Sequence, residues 1–524
     1  MSTIIDNIAQ WVAGLTYDDI PVHLIERARL QILNIIAAVV SGRHCDALKS
    51  AVPVNLPDGG STVIPGGRKT AVEYAVFINA LHSMSFDFDD YMFMGHTGHS
   101  SVLVPLAASE EAGLTLKELL LSQIIANEVE GRLGASVLFG PHNGQMWSYI
   151  HTVGAAVAVS KLYGLSREQV ASAIALSLYQ PNYPLSPGFM LSDSKLLTAS
   201  IPLLSGIICA KLAKRGMKGN TDLLEAENGF LSRFSYLPLP HLLSGLGEWW
   251  VTDTLAFKPY PGCAYIDTAV DGIYDIMDQY RQKTGARITP SDIRRVDVFA
   301  NILTMGMNAL SEMYDDGTLH PVNINFSIPR SLAVAMVNGS LQARHLSSEA
   351  LSGQRDAINA VAEKVTLHHD WLYTFGTLEA SYDALGGRFM LGDTGAYRLI
   401  KAFRRIRKDM PRVPLNIQAL PKAWLSLPGK TKKIIRSGLR RKDRHVRMDR
   451  FVFSFGARIR LETNDGQVYE AESVVPRGAS RTGQKDVVLD KLASALDSVQ
   501  KSRDLFEMTD PQTPVSTFVA HVAR

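Results

Sequence analysis

Residues 144–169 read GQMWSYIHTVGAAVAVSKLYGLSREQ, and this stretch decides the class of the fold. Helical periodicity runs from Val153 to Tyr163, Gly164 supplies the stop, and a second periodic stretch follows from Arg167 to Tyr179. The Ala and Gly content of GAAVAVS lets neighbouring helices approach closely. Outward from here the same texture repeats. Pro21 suits a helix start, and Val22, Ile25, Ala28, Ile32, Ile35, Ile36 and Val39 recur at helical spacing behind it. Thr70 to His82, Leu116 to Leu138 and Ile201 to Lys214 behave alike, the last closed by Gly216.

From about residue 258 the pattern changes. RRVDVFAN, FVFSFGARIRLET and QVYEAESVV read as strands, with Asn-Asp-Gly at 464–466 as a hairpin turn. Helical patterns return at Phe326 to Asn338 and at Asp486 to Ser502. The expected fold is therefore mainly α with an α+β lid. A large all-helical domain covers 1–257, the smaller α+β domain covers 258–483, and 484–524 packs back on the first. A chain of 524 residues exceeds one ordinary core, which also argues for two domains. The stretch 370–450 reads as an irregular, basic insertion.

Hydrophobic residues at 46% and charged residues at 20% exclude wholesale disorder. Cys45, Cys209 and Cys263 are dispersed, with no C-x-x-C pair; this spacing fits neither a zinc site nor a disulfide framework and suits a reducing compartment. The N-terminus lacks a basic n-region and carries Asp6 early, and the apolar run Ile32 to Val40 is too short to span a bilayer. A cytoplasmic protein without membrane attachment is expected. The net charge of +3 is unevenly spread: Arg398 to Arg450 holds 18 Lys/Arg and 3 Asp/Glu, leaving 36 basic and 48 acidic residues elsewhere. Such a segment could dock nucleic acid or protein, but with only Tyr397, Phe403 and Trp424 as aromatics it is poorly equipped to stack on bases. A solvated or dimer-contacting surface is the preferred reading.

The densest polar cluster is SFDFDDYMFMGHTGHSS, residues 85–101. It sets Asp87, Asp89, Asp90, His96 and His99 between two apolar helical stretches, where burial can tune acid–base groups. A solvated helix cap is the bland reading of the same residues. A metal site is the other alternative, but the two histidines match no zincin spacing. Lys195, in MLSDSKLLTAS, and Lys258, in AFKPYPGCAY, also stand in unusual settings. A lysine near a helix start opposes the macrodipole, so it snorkels to solvent or meets an anion.

These segments, taken in order with GQMWSYIHTVGAAVAVSKLYGLSREQ, LLEAENGF, FKPYPGC and FSIPRSLAVAMVNGSL, resemble the MmgE/PrpD family. The likeness runs to about residue 340, fades through the basic segment and resumes at DGQVYEAESVVPRG. That family includes 2-methylcitrate dehydratase, cis-aconitate decarboxylase and iminodisuccinate epimerase. The resemblance implies a homodimer, a lid closing on the site, and no metal or organic cofactor. It assigns catalysis to Asp87, His99, Lys195 and Lys258. Substrate contacts then fall to Tyr91, His96, Ser194, Tyr260, Cys263 and Arg330, with His142 or His151 as the histidine ahead of the Gly154 helix. The chain departs from the decarboxylase pattern at Tyr91, where a Thr is usual, and at Thr198 and Cys263, each in place of a His. Arg330 replaces a Tyr. The expected substrate is a small polycarboxylate, with dehydration first, and decarboxylation or epimerisation as alternatives. Retention of the fold for binding alone is the reading from another class.

Overall fold

The computed structural model describes residues 2–523 apart from 53–54, 142–143, 386–394, 410, 439–445 and 480. Its centre is a stack of helices. Leu197–Lys214 packs on Ser148–Leu162, on Arg167–Tyr179 and on Val72–Met84, while Ser148–Leu162 also packs on Leu116–Ser136. Small residues set the closeness of these crossings. A side chain at Gly206 would collide with the Thr152 carbonyl and Ala155 of the neighbouring helix. Val22–Ser41 runs buried along most of its length and ends on Gly42, which abuts His82. Pro21 precedes Val22–Ser41 as its sequence suggests, Thr115 and Ser166 cap two more of these helices, and Gly164 and Gly216 both take positive φ just past a helix end.

The second apolar cluster is built on a four-stranded sheet in the order Val365–His369, Ile293–Ala300, Ala457–Thr463, Val468–Ser473. The first pair is parallel and the others antiparallel, with Gly466 at φ 82° turning the last hairpin. Asp267–Thr284 lies across Ala457–Thr463 and Val468–Ser473, and Ile328–Asn338 packs on that helix. The Ala457–Thr463 strand alternates buried and half-buried residues, the pattern of a sheet covered on one face. The coarse expectation of a mainly α protein agrees with this, and the sheet itself is small and mixed.

Four local expectations change. The strand read from Phe451 begins only at Ala457, because Phe451, Phe453 and Phe455 turn into a buried aromatic ladder instead of pairing. Val365–His369 is a strand that the periodicity did not announce. The helix expected over Asp486 to Ser502 is two, Gln484–Leu496 and Val499–Glu507, broken where Asp497 takes φ 53° and Ser498 caps the second. The basic segment is largely helical: Trp371–Leu385, Gly395–Asp409, Leu420–Ser426 and Gly429–Gly438. Ala384 and Ala402 of these helices join the main core, while Arg404, Arg405 and Arg407 stay on the outer side, so that part of the charge run is the wet face of an amphipathic helix. The C-terminal helices lie against helices of the first half. Gln484–Leu496 packs on Val22–Ser41, and Val515–Val522 on Leu103–Glu111.

Candidate active site

A long-range antiparallel pairing of two short strands brings the site together. Asp90 pairs with Phe257 and Tyr91 with Ala256, so Lys258 arrives beside the acidic loop although it is far away in sequence. The short turn Asp193–Leu196 delivers Lys195 from another side. Asp87, Asp89, His99 and Lys258 are completely buried, and Lys195 is 1% exposed.

Each charge has a partner. Lys195 Nζ donates to Asp87 Oδ2 and lies over the rings of Phe326 and Phe189, 4.4 and 5.0 Å from their centroids. Lys258 Nζ donates to Asp89 Oδ1 (2.5 Å) and to the Asp87 carbonyl (2.7 Å). Asp89 Oδ2 meets His96 Nδ1 at 2.8 Å and His99 Nε2 at 3.2 Å. Burial alone would raise the Asp89 carboxyl, but Lys258 and the two imidazoles hold it well below its ordinary value. Burial lowers Lys195 despite Asp87, whereas Asp89 and Asp87 overcome burial at Lys258 and raise it.

Asp89 is thus the hub of the cluster, a role the loop composition alone did not assign. His99 is oriented by Asp89 rather than by Asp87. Ser83 Oγ donates to the Ala80 carbonyl (3.0 Å), which leaves its lone pair to accept from His99 Nδ1 at 2.8 Å. With Nε2 facing the Asp89 carboxylate, the ring is held at both nitrogens. Asp87 Oδ1, like Asp90 Oδ1, is buried without a partner among the described residues, and Asp87 alone of the three loop carboxylates has its backbone at φ 50°, a left-handed conformation rare outside glycine.

Asp90 turns the other way, into a base of amides. Gln31 Nε2 donates to it (2.9 Å), and Thr97 and Asn127 complete the network. Burial and the Asp89 charge push its carboxyl up. The neighbouring Gly98 has no room for a side chain, since a Cβ there would overlap Asp90 Oδ1 and Ile35. His151 stands edge-on to His99, with centroids 5.8 Å apart, and its Nδ1 lies 2.8 Å from Ser100 Oγ, which also donates to Glu130 Oε2 at 2.7 Å. Burial, with His99 and His96 nearby, holds His151 well below its ordinary value. Burial pushes Glu130 well above its own. Gly154 makes space for that carboxyl, because any Cβ would clash with it.

Glu130 yields a test. A carboxyl whose folded value is raised contributes stability that is complete below its ordinary value of 4.5 and lost as the pH rises through the folded value. Glu130→Gln should therefore flatten the fall in melting temperature between mildly acidic and alkaline buffer. Equal slopes in both proteins would mean that Glu130 ionises freely.

The remaining candidates divide. Tyr91 is buried against Phe453 and Phe455 with its hydroxyl unpartnered among the described residues, and burial raises it well above its ordinary range. Cys263 lies among Met146, Phe189, Met190 and Phe326, its thiol pushed up to about 12 by burial against the pull of Lys258. His96 is the least buried imidazole of the cluster, at 15%. Three expected contacts lie elsewhere. Arg330 is committed to Asp315 (2.8 Å), the Thr318 carbonyl and Asn323, because the chain ahead of its helix offers a carboxylate within reach. Tyr260 donates to Asp271 and packs on Tyr274. Ser194 is exposed and bonded to Ser192 and the Gly188 carbonyl. His142 lies outside the described residues. The site also contains buried groups that the sequence reading passed over: Ser83, Ser100, Glu130, Asp267 and Lys491. A carboxylate among the apolar residues of Leu116–Ser136 was the available signal for Glu130, and Lys491, on a helix with four charged residues, offered none. Among the described residues no group of three His, Cys, Asp or Glu is arranged to hold a metal ion.

Residues 6–240 match the MmgE/PrpD N-terminal domain. Cis-aconitate decarboxylase of Aspergillus terreus is 25% identical over 386 residues, 70% of this chain and 78% of the relative. The Homo sapiens cis-aconitate decarboxylase is 27% identical over 282 residues, half of this chain and 57% of the relative. That of Mus musculus is 25% identical over 281 residues.

Proposed function

Because the chain belongs, through its N-terminal domain, to the MmgE/PrpD family, we propose that it is a lyase acting on a small polycarboxylate, with dehydration of a hydroxy-acid as the first reading. The observation that carries this is the buried division of labour around Asp87. One Asp87 oxygen is bound by Lys195 and the other is free to take a proton. An ammonium has three donors, and Lys195 spends one on Asp87 while Lys258 spends two within the loop. Lys195 is therefore the better holder of a substrate carboxylate, and Lys258 chiefly fixes Asp89.

In the proposed reaction Asp87 removes a proton from the carbon next to a carboxylate held by Lys195. The electron pair of that C–H bond forms the double bond, the C–O bond breaks, and His99 protonates the departing hydroxyl as water. Asp89, with Lys258 behind it, keeps the His99 ring in place and balances its charge. Closure of the sheet-bearing half over the loop would exclude water and strengthen each of these contacts. The scheme uses no metal and no organic cofactor.

Decarboxylation is the second reading, favoured by the names of the relatives. It needs a donor for the carbon left behind, and Thr198 and Cys263 stand where the decarboxylase pattern has histidines; a thiol near 12 gives up its proton poorly. Epimerisation would use the same base without loss of mass. The test is incubation of the purified protein with hydroxy- and unsaturated di- and tricarboxylates, reading product masses. Loss of water from a hydroxy-acid is expected. Loss of carbon dioxide or unchanged mass would move the assignment within the family, and inertness to every polycarboxylate would overturn it.

We further propose that the working unit is a homodimer. Leu197, Ile201, Ile208 and Leu212 share one face of a helix whose other side is core, yet they are 43, 40, 49 and 38% exposed. A second copy covering this stripe accounts for such residues on the helix that carries Thr198. Ile208→Asp should then convert a dimer to monomers in sedimentation analysis. A monomeric parent protein, or a variant that stays dimeric, would reject this face.

A further inference from the structure

Lys491 plays no part in the chemistry above, yet it is one of the most confined charges in the protein. It stands on Gln484–Leu496, the helix that returns from the C-terminal end to pack on Val22–Ser41, and it is 3% exposed. Its Nζ donates to the Phe88 carbonyl (2.5 Å) and to Asn34 Oδ1 (2.7 Å), and it lies 3.9 Å from the centroid of the Phe88 ring. Phe88 is the residue between Asp87 and Asp89.

The carbonyl before it, that of Asp87, is held by Lys258. Two successive peptide carbonyls of the loop are therefore each bound by a buried ammonium. A buried carbonyl needs a donor, and among the described residues the two lysines supply it here. The same segment carries the left-handed Asp87, and a strained conformation of that kind persists only where its surroundings over-determine it. Lys258 fixes the peptide after Asp87; rotation of the next peptide would still swing Asp89 relative to Asp87. The group bound to the carbonyl of that peptide is Lys491. Its burial is costly: desolvation, aided by Lys258, brings its amine down to about 7 against the pull of Asp89, Asp90 and Asp267.

We infer that Lys491 is a positioning residue of the acidic loop, setting through the Phe88 carbonyl the placement of Asp87 against Asp89. The inference rests on reading that loop as the catalytic one, and its test does not depend on turnover alone. Backbone hydrogen exchange of the full chain, followed by mass spectrometry, compares the parent with Lys491→Met, Lys491→Gln and Lys491→Arg. Lys491→Met should speed exchange in residues 87–99 by roughly tenfold or more, with Gln484–Leu496 little changed, since local opening follows the lost contact. Gln and Arg, which can still donate to a carbonyl, should restore part of the protection and keep the comparison open if the Met variant fails to fold. On whichever polycarboxylate the parent turns over, kcat should fall in the same order while KM changes little. Acceleration confined to Gln484–Leu496, or spread evenly over the protein, would make Lys491 a packing residue and overturn the inference. An inert parent with the expected exchange pattern would reject the proposed reaction and leave the positioning role standing.

Discussion

Asp87→Asn should lower turnover by roughly 100-fold or more in a protein that still unfolds cooperatively. The amide keeps the shape of the carboxylate, and its oxygen can still accept from Lys195, but it cannot take a proton from carbon. Lys195 then lacks a counter-ion in a buried site. Because burial already lowers its amine, it can shed its proton instead of remaining charged, which limits the loss of stability. Rates of product formation beside a melting curve check both halves of the expectation. Turnover near that of the parent, with the fold retained, would demote the unpartnered Asp87 oxygen to a bystander.

The largest stability effect should come from Asp89→Ala. This carboxylate answers Lys258, His96 and His99 at once, all of them buried or nearly so. Removing one member of a buried pair leaves the other charge uncompensated, at a cost of about 3–5 kcal/mol. Lys258 is exposed to this more than Lys195, since its amine is held up and not down. Denaturant unfolding would measure it, and Lys258→Met in the same chain should recover part of the loss. The sign with pH follows too. A carboxyl depressed in the folded state contributes stability that is present above its ordinary value of 3.8 and lost as the pH falls through the folded value, so the variant should lose less on acidification than the parent. A loss below about 1 kcal/mol, the range of exposed pairs, would mean that the cluster is open to water.

How much of this was legible in the chain depends on which interactions are local. Arg167–Tyr179 has the ends that its periodicity and its flanking Gly164 indicate, because helix periodicity and stops are written within a few residues. The hairpin at 464–466 was legible for the same reason. Val365–His369 was not: its place as an edge strand comes from parallel pairing with Ile293–Ala300, which no local pattern encodes. The apolar periodicity across Asp497 continues in sequence although the backbone turns there, so one helix was expected where two exist.

The site divides along the same line. The acidic loop and the two lysines stood out as charges set against apolar runs, and the resemblance gave them roles. Their pairing did not stand out, because it follows from the long-range strand pairing that joins Asp90–Tyr91 to Ala256–Phe257. Lys491 looked like any lysine on an amphipathic helix until the fold placed it under Phe88. Arg330 looked available until its ion pair with Asp315 was seen.

The most direct test of the central claim, that one buried cluster binds and transforms a polycarboxylate, is a crystal structure of the Asp87→Asn variant soaked with a hydroxy-tricarboxylate. The account predicts a carboxylate within hydrogen-bonding distance of Lys195 Nζ, the adjacent carbon against the residue at 87, and the hydroxyl toward His99. A well-ordered ligand bound away from Lys195, with the cluster intact and empty, would contradict it.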